Sequence, residues 1–259
     1  MDRWDGGNDY DLFMGRWSRL IADEFVRELG AREGLRWLDV GCGTGALLDA
    51  ALAAAGPSAA HGVDPSHEFV QACRDRLGSD AKIRVADGDQ LPFDKASFDL
   101  VVSGLVLNFI PDPLAAIREW RRVTEPGGLI SLYVWDYAGG MEFLRYFWDV
   151  AADLDPAAHA LDEGVRFPIC QPEPLADLFT EAGLSNVTTG AVEVATPFLS
   201  FGDYWAPFLR GQGPAPSYVS SLAPPQQEQL KSRLKDVIPT LRNGAVQLTA
   251  RAWTATGVA

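Results

Sequence analysis

A chain of 259 residues, 47% hydrophobic and 22% charged, has the composition of an ordinary globular protein and the length for one α/β domain with modest insertions. Its 22 basic against 35 acidic side chains leave a net charge of -13, which repels phosphate backbones and anionic membranes, so neither nucleic acid nor membrane is an expected partner. Cys42, Cys73 and Cys170 form no CxxC pair and no His/Asp/Glu cluster has ligand spacing, so no disulfide framework and no metal are expected; a charged start without an apolar run reads as cytoplasmic.

Between residues 16 and 29, Trp17, Leu20, Ile21, Phe25, Val26 and Leu29 recur at helical spacing, and residues 1–31 read as an N-terminal helical cover. Residues 36–40 predict a short strand running into Gly41-Cys42-Gly43-Thr44-Gly45, with an alanine-rich helix from 46 to about 55. The order repeats: a strand at 61–64, a helix at 68–77, and strands at 82–85 and 98–103. A helix at 113–123 ends in the breaker Glu125-Pro126-Gly127-Gly128, which leads into a fifth strand at 128–135. The alternation lapses at 138–170 and at 199–244, two insertions read as substrate lids of a single 1–259 domain. A helix at 174–182, a strand near 193–198 and a last strand at 246–255 complete the pattern. Such alternation predicts a Rossmann-like α/β fold, a seven-stranded, mostly parallel sheet with helices on both faces.

A backbone that passes beneath a nucleoside-bearing ligand needs glycines, because a Cβ would hold the ligand off and some dihedrals require positive φ. Gly41, Gly43 and Gly45 supply them, in a GxGxG spacing that departs from the GxGxxG of dinucleotide-binding turns. Asp64 ends the second strand 64 − 45 = 19 residues after the last glycine. A carboxylate there can accept from both hydroxyls of an adenosine ribose; a helix N-cap before Pro65 and Ser66 is the plainer reading. Asp39 either orients the glycine loop or a bound amino group through water, or only braces the turn.

Taken together, residues 38–45 (Leu-Asp-Val-Gly-Cys-Gly-Thr-Gly) and 62–66 (Gly-Val-Asp-Pro-Ser) resemble the first two motifs of class I S-adenosylmethionine-dependent methyltransferases. So do residues 88–93 and 97–101. The nearest group is similar to the ubiquinone/menaquinone-biosynthesis type, whose members methylate many small molecules. The resemblance implies S-adenosylmethionine as methyl donor and S-adenosylhomocysteine as product. It places Gly41, Gly43 and Gly45 under the donor's amino-acid moiety, and Asp64, with Pro65 and Ser66 after it, on the ribose. Asp89 and the backbone of Gln90 fall at the adenine, and Ser103, Gly104 and Leu105 near the reactive methyl. Tyr10, Arg16 and Arg19 fall in a region that folds over the donor in similar enzymes; surface salt bridges are the bland reading of the arginines. Where many relatives carry a histidine pair after the fourth strand, this chain has Asn108-Phe109, so no imidazole is assigned there.

Sulfonium methyl transfer is an in-line displacement in which positioning can supply much of the acceleration, and a base is optional. His159, Asp136, Tyr137 and Asp153 are polar candidates in the first insertion, none distinguished from the others. The aromatic residues of the insertions, among them Phe143, Phe147, Trp148, Tyr204 and Phe208, either build an apolar acceptor pocket or pack the lid helices. The first reading expects a hydrophobic or aromatic small-molecule acceptor, and exposed rings would fit a homodimer. A non-catalytic S-adenosylmethionine-binding sensor and an NAD-dependent oxidoreductase are the alternatives; glycine spacing and residues 88–93 oppose the second.

Overall fold

The computed structural model describes residues 15–210 and 213–259; Tyr10 and the side chain of Arg16 lie outside the described residues. In chain order the elements are α1 (Arg16–Leu29), β1 (Arg36–Val40), α2 (Ala46–Ala54), β2 (Ala59–Asp64), α3 (His67–Leu77), β3 (Lys82–Val85), β4 (Phe98–Gly104), α4 (Pro113–Val123) and β5 (Thr124–Trp135). There follow α5 (Glu142–Leu154), α6 (Glu163–Arg166), α7 (Pro172–Glu181), β6 (Ser185–Phe198), α8 (Phe201–Trp205), α9 (Pro214–Ser221), α10 (Pro224–Val237) and β7 (Val246–Val258). The chain divides into two compact units.

One unit, Ser18–Val134 with Ile169–Val192 and Ala252–Ala259, holds the body of a seven-stranded sheet of order β3-β2-β1-β4-β5-β7-β6. The pairs β1/β2, β2/β3, β1/β4 and β4/β5 are parallel. Ala259 N–H donates to Gly128 O at 3.0 Å and Ser131 Oγ meets Thr256 Oγ1 at 2.7 Å, so rising numbers on β5 meet falling numbers on β7. That makes β7 antiparallel in an otherwise mainly parallel, Rossmann-like sheet. β1 and β4 are almost wholly buried, as strands covered on both faces must be, and this is why they read as apolar runs rather than alternations. On α1, Ile21, Phe25 and Val26 are buried, with the Phe25 ring 4.7 Å from that of Tyr133, while Leu20 faces solvent.

Several elements differ from the sequence reading, β2 starting at Ala59 and β7 running on to Val258 among them. The breaker at 125–128 does not precede β5 but lies inside it: the β4/β5 register slips between Phe98 and Leu100. A Cβ on Gly128 would come within 2.7 Å of Thr124 Cγ2 and 2.8 Å of Asp99 O, so the glycine lets the strand pass through an irregularity rather than stop. β6 begins at Ser185, eight residues before the predicted start at 193. It is an edge strand, and its first half, Ser185 to Ala191, is mostly exposed and polar, so it carries no alternation to read. The prolines at 199–244 also do not mark irregular chain. Pro214 and Pro224 sit at the first turns of α9 and α10, where a missing N–H removes no helix hydrogen bond.

Among the described residues, the other unit comprises Trp135–Pro168 and Glu193–Arg251, with residues 15–17. Its centre is aromatic: Phe208 stacks on Phe143 and Phe147 at 4.5 Å each, and the Tyr204 hydroxyl donates to Phe143 O at 2.9 Å. These rings therefore pack this unit's own core, while its exposed apolar side chains include Leu199 and Leu209. Three buried acids are held within it. Asp136 accepts from Arg251 at 2.6 Å, Asp162 is ion-paired with Arg145, and Glu163 accepts from the Trp148 indole. No helix among the described residues is long and apolar enough to cross a membrane.

Candidate donor-binding site

In a sheet whose order reverses between β1 and β4, the loops at the carboxyl ends of these neighbouring strands diverge and leave a crevice. The glycine turn occupies this place. Gly41, Gly43 and Gly45 have φ of 76°, 51° and 90°, all left-handed. Gly41 N–H and Cys42 N–H both donate to Val63 O, at 2.8 and 2.9 Å, which ties the turn to β2. A Cβ on Gly41 would lie 2.5 Å from Val106 Cγ2, and one on Gly45 would lie 2.8 Å from Cys73 Sγ. Glycine here allows close packing as well as unusual dihedrals.

Asp64 ends β2 beside the turn, with 7% of its surface exposed. Its Oδ2 accepts from Gly43 N–H at 3.0 Å and its Oδ1 from Ser66 N–H at 2.9 Å. A carboxylate has about four lone-pair sites, so two acceptor directions remain for a ligand. Burial pushes the Asp64 pKa up, against the lowering effect of the two N–H donors. The helix cap is Ser66 rather than Asp64: its hydroxyl oxygen accepts from Phe69 N–H at 3.3 Å at the head of α3, and Pro65 is exposed. Asp39 is 1% exposed, and neither carboxylate oxygen has a hydrogen-bond partner among the described residues. Burial, then Cys73 and Asp64, hold its pKa well above the usual carboxylate range. No hydrogen bond links it to the turn.

On the neighbouring strand, Ser103 Oγ donates to Val40 O at 2.7 Å, pinning β4 to the end of β1. Leu105 has φ 63° and its N–H donates to Tyr133 O at 2.8 Å, while a Cβ on Gly104 would overlap the Tyr133 hydroxyl. Asp89 is half-buried and Gln90 exposed, with Gln90 N–H donating to Asp87 O at 3.2 Å. Their loop is fixed to α4 by two groups that sequence reasoning missed. The Trp120 indole donates to Gly88 O at 2.7 Å, and Glu119 Oε1 accepts from Leu91 N–H at 2.9 Å. In the sequence both look only like positions on an amphipathic helix. Arg19 is exposed on α1. Asn108 is half-buried, and its amide nitrogen and oxygen are both buried without a partner among the described residues.

Of the insertion residues weighed as bases, His159 and Asp153 are exposed, Tyr137 packs its ring on Phe167, and Asp136 is engaged by Arg251 and Gly139. Among the described residues no three His, Cys, Asp or Glu side chains are grouped to hold a metal. A cavity of about 300 Å³ lined by Leu29, Leu35, Asp99, Glu125 and Gly127 lies at the amino ends of β1 and β4, away from the turn, beside the Arg36 bridge to Asp99 and Glu125.

Residues 38–132 match the model of a methyltransferase domain. The demethylmenaquinone methyltransferase of Staphylococcus aureus is 36% identical over 108 residues, which are 40% of this chain and 45% of that protein, so the chain spans less than half the length of this relative. Among solved structures, the YcgJ protein of Bacillus subtilis superposes with a TM-score of 0.59 at 16% identity, covering 94% of this chain and 98% of that one. The phosphoethanolamine N-methyltransferase 2 of Haemonchus contortus, in complex with S-adenosyl-L-methionine, gives 0.58 at 16%, covering 96% and 57%. These two likenesses are of fold. Strand order, glycine turn and family match agree: residues 38–132 match a methyltransferase-domain family and are similar to the class I S-adenosylmethionine-dependent methyltransferases.

Proposed function

We propose that the chain is an enzyme that transfers the methyl group of S-adenosylmethionine to a small molecule and leaves S-adenosylhomocysteine. The observation that carries the reading is Asp64: a buried carboxylate at the end of β2, oriented by Gly43 and Ser66 N–H groups and keeping two acceptor directions for a ribose diol. The orphaned Asp39 carboxylate and the glycine turn fit the same ligand, the first as a partner for an ammonium group, the second as a backbone with open space at the Gly43 Cβ position. Asp89, with the backbone of Gln90 beside it, would take the adenine edge, and Ser103 to Leu105 would border the methyl. Arg19 would cover the donor.

When bound, the donor supplies an electrophilic sulfonium methyl. The chain's share is to hold that methyl and the acceptor in line and to exclude water, which suffices for a strong nucleophile. A hydrophobic, quinone-like acceptor is favoured by the demethylmenaquinone methyltransferase relative, and the net charge of -13 disfavours nucleic acid.

Calorimetric titration with S-adenosylmethionine, S-adenosylhomocysteine and NAD tests this, with Asp64→Ala alongside. Micromolar binding of the first two, lost in the variant, is expected, followed by release of S-adenosylhomocysteine when a demethylated quinol is added. Preference for NAD, or no binding, refutes the donor site. Tight donor binding without turnover across an acceptor panel refutes the enzyme.

A further inference from the structure

At the end of β4 the chain bends sharply. Leu105 has φ 63°, a left-handed conformation that a bulky side chain rarely adopts, and its N–H donates to Tyr133 O at 2.8 Å. One turn of 3-10 helix follows, Leu107–Phe109, closed by Phe109 N–H on Val106 O at 2.8 Å and by Ile110 N–H on Leu107 O at 3.2 Å. Both flanks of this turn are set against the candidate donor site. A Cβ on Gly41 would lie 2.5 Å from Val106 Cγ2, and one on Gly88 would lie 3.2 Å from Ile110 Cδ1. Backbone strain that packing holds in place on two sides fits a segment that has to aim a side chain.

The side chain at the middle of the turn is Asn108. Its amide carries two N–H donors and a carbonyl acceptor, and the nitrogen and oxygen are both buried with no hydrogen-bond partner among the described residues. Such an amide weighs against folding, because both ends have given up water and nothing has replaced it. Ser103, the other polar side chain between residues 103 and 110, spends its hydroxyl on Val40 O. Asn108 is therefore where this segment keeps unspent hydrogen-bonding capacity. It also lies in a surface segment, so a ligand reaches it without crossing the core: of residues 104–110 only Leu107 is buried, and Phe109 next to Asn108 is 39% exposed.

We propose that Asn108 binds the methyl acceptor, and that the group it takes is a ring hydroxyl with a second oxygen beside it. The amide carbonyl accepts from the hydroxyl and the amide N–H donates to the neighbouring oxygen, which satisfies both orphaned ends at once. The inference rests on the methyltransferase reading. There the ribose, the ammonium group and the adenine already have Asp64, Asp39 and Asp89, whereas Asn108 stands three residues beyond Leu105, on the segment that would border the methyl. An amide neither gains nor loses a proton at ordinary pH, so its part is to hold the acceptor and not to act as base.

The test measures, by calorimetry without air, the binding of naphthalene-1,2-diol, 2-naphthol and naphthalene to the full chain saturated with S-adenosylhomocysteine, in the parent and in Asn108→Leu. The parent is expected to bind the diol best and naphthalene least. The leucine should weaken the diol by about tenfold or more, weaken the naphthol less and leave naphthalene unchanged. Its melting temperature, measured without ligand, should equal or exceed the parent's, since the leucine replaces an amide that has no partner; Asn108→Ala takes its place if the leucine does not fit. A diol that binds no better than naphthalene, or equally well in parent and variant, overturns the proposal. A melting temperature several degrees lower in both variants makes the amide structural and overturns it too. Loss of S-adenosylhomocysteine affinity by the same factor as the diol moves Asn108 to the donor, against the proposal. A parent that does not bind S-adenosylhomocysteine at all sinks the donor reading and this one with it, whereas a parent that binds it and ignores the diol leaves the donor reading standing.

Discussion

Asp39→Asn separates the stability of the donor-free protein from its capacity to hold a ligand. Asp39 is 1% exposed, neither oxygen is hydrogen-bonded among the described residues, and burial with the nearby Cys73 and Asp64 raises its pKa well above the ordinary value. The folded chain thus keeps a proton that the unfolded chain releases above about pH 4. One such proton lowers the free energy of unfolding by about 1.4 kcal/mol for every pH unit, from about pH 4 up to the raised folded pKa, after which the loss is complete. Asparagine fills the same space and has no proton to lose. The variant should match or trail the parent near pH 4 and overtake it as pH rises, by about 1.4 kcal/mol per unit, or roughly 2–4 °C in melting temperature for each kcal/mol. Urea denaturation of donor-free protein at constant ionic strength, from pH 4.5 to pH 8, measures the difference. Stability curves that stay parallel to within about 0.5 kcal/mol would refute a buried, unpartnered carboxyl at this position. Calorimetry on the same variant should show weaker donor binding, since the charge that penalises the empty fold is the one that would meet an ammonium group.

Gly41→Ala should destabilise by about 2–4 kcal/mol, the sum of a left-handed φ for alanine and overpacking against Val106, whose Cβ itself is only 2.9 Å from the new methyl; a melting temperature within a degree or two of the parent's would contradict the geometry of the turn. Glu163 is raised by burial from 4.5 to about 7, so its ionisation destabilises the fold as pH rises through that window, and Glu163→Gln should remove a fall of about 3 kcal/mol between pH 4.5 and pH 7. Chemical denaturation of the two proteins at both pH values decides it, an unchanged pH slope in the variant being the adverse result.

The sequence by itself determined the order of strands and helices from α1 to β5, the glycine turn and Asp64. Each is a local signal: period-3.6 or continuous apolar runs, and glycine where the backbone needs positive φ, as the φ of 76°, 51° and 90° bear out. The family resemblance rested on those same residues and holds for 38–132. Tertiary structure alone decided the rest, because the deciding partners are distant in sequence. The early half of β6 is polar on a sheet edge, and Gly127-Gly128 are breakers in a chain but an irregularity in a strand whose neighbour approaches closely. Prolines that look like loop markers start α9 and α10. Rings that could have lined a pocket stack on one another, since Phe143, Phe147 and Phe208 meet only after α5 and the segment following α8 pack together. Cys42 and Cys73, unremarkable by spacing, join one buried cluster only when β1 and β2 pair and α3 folds back over them, and the pairing that leaves Asp39 buried without a partner is set by the same packing.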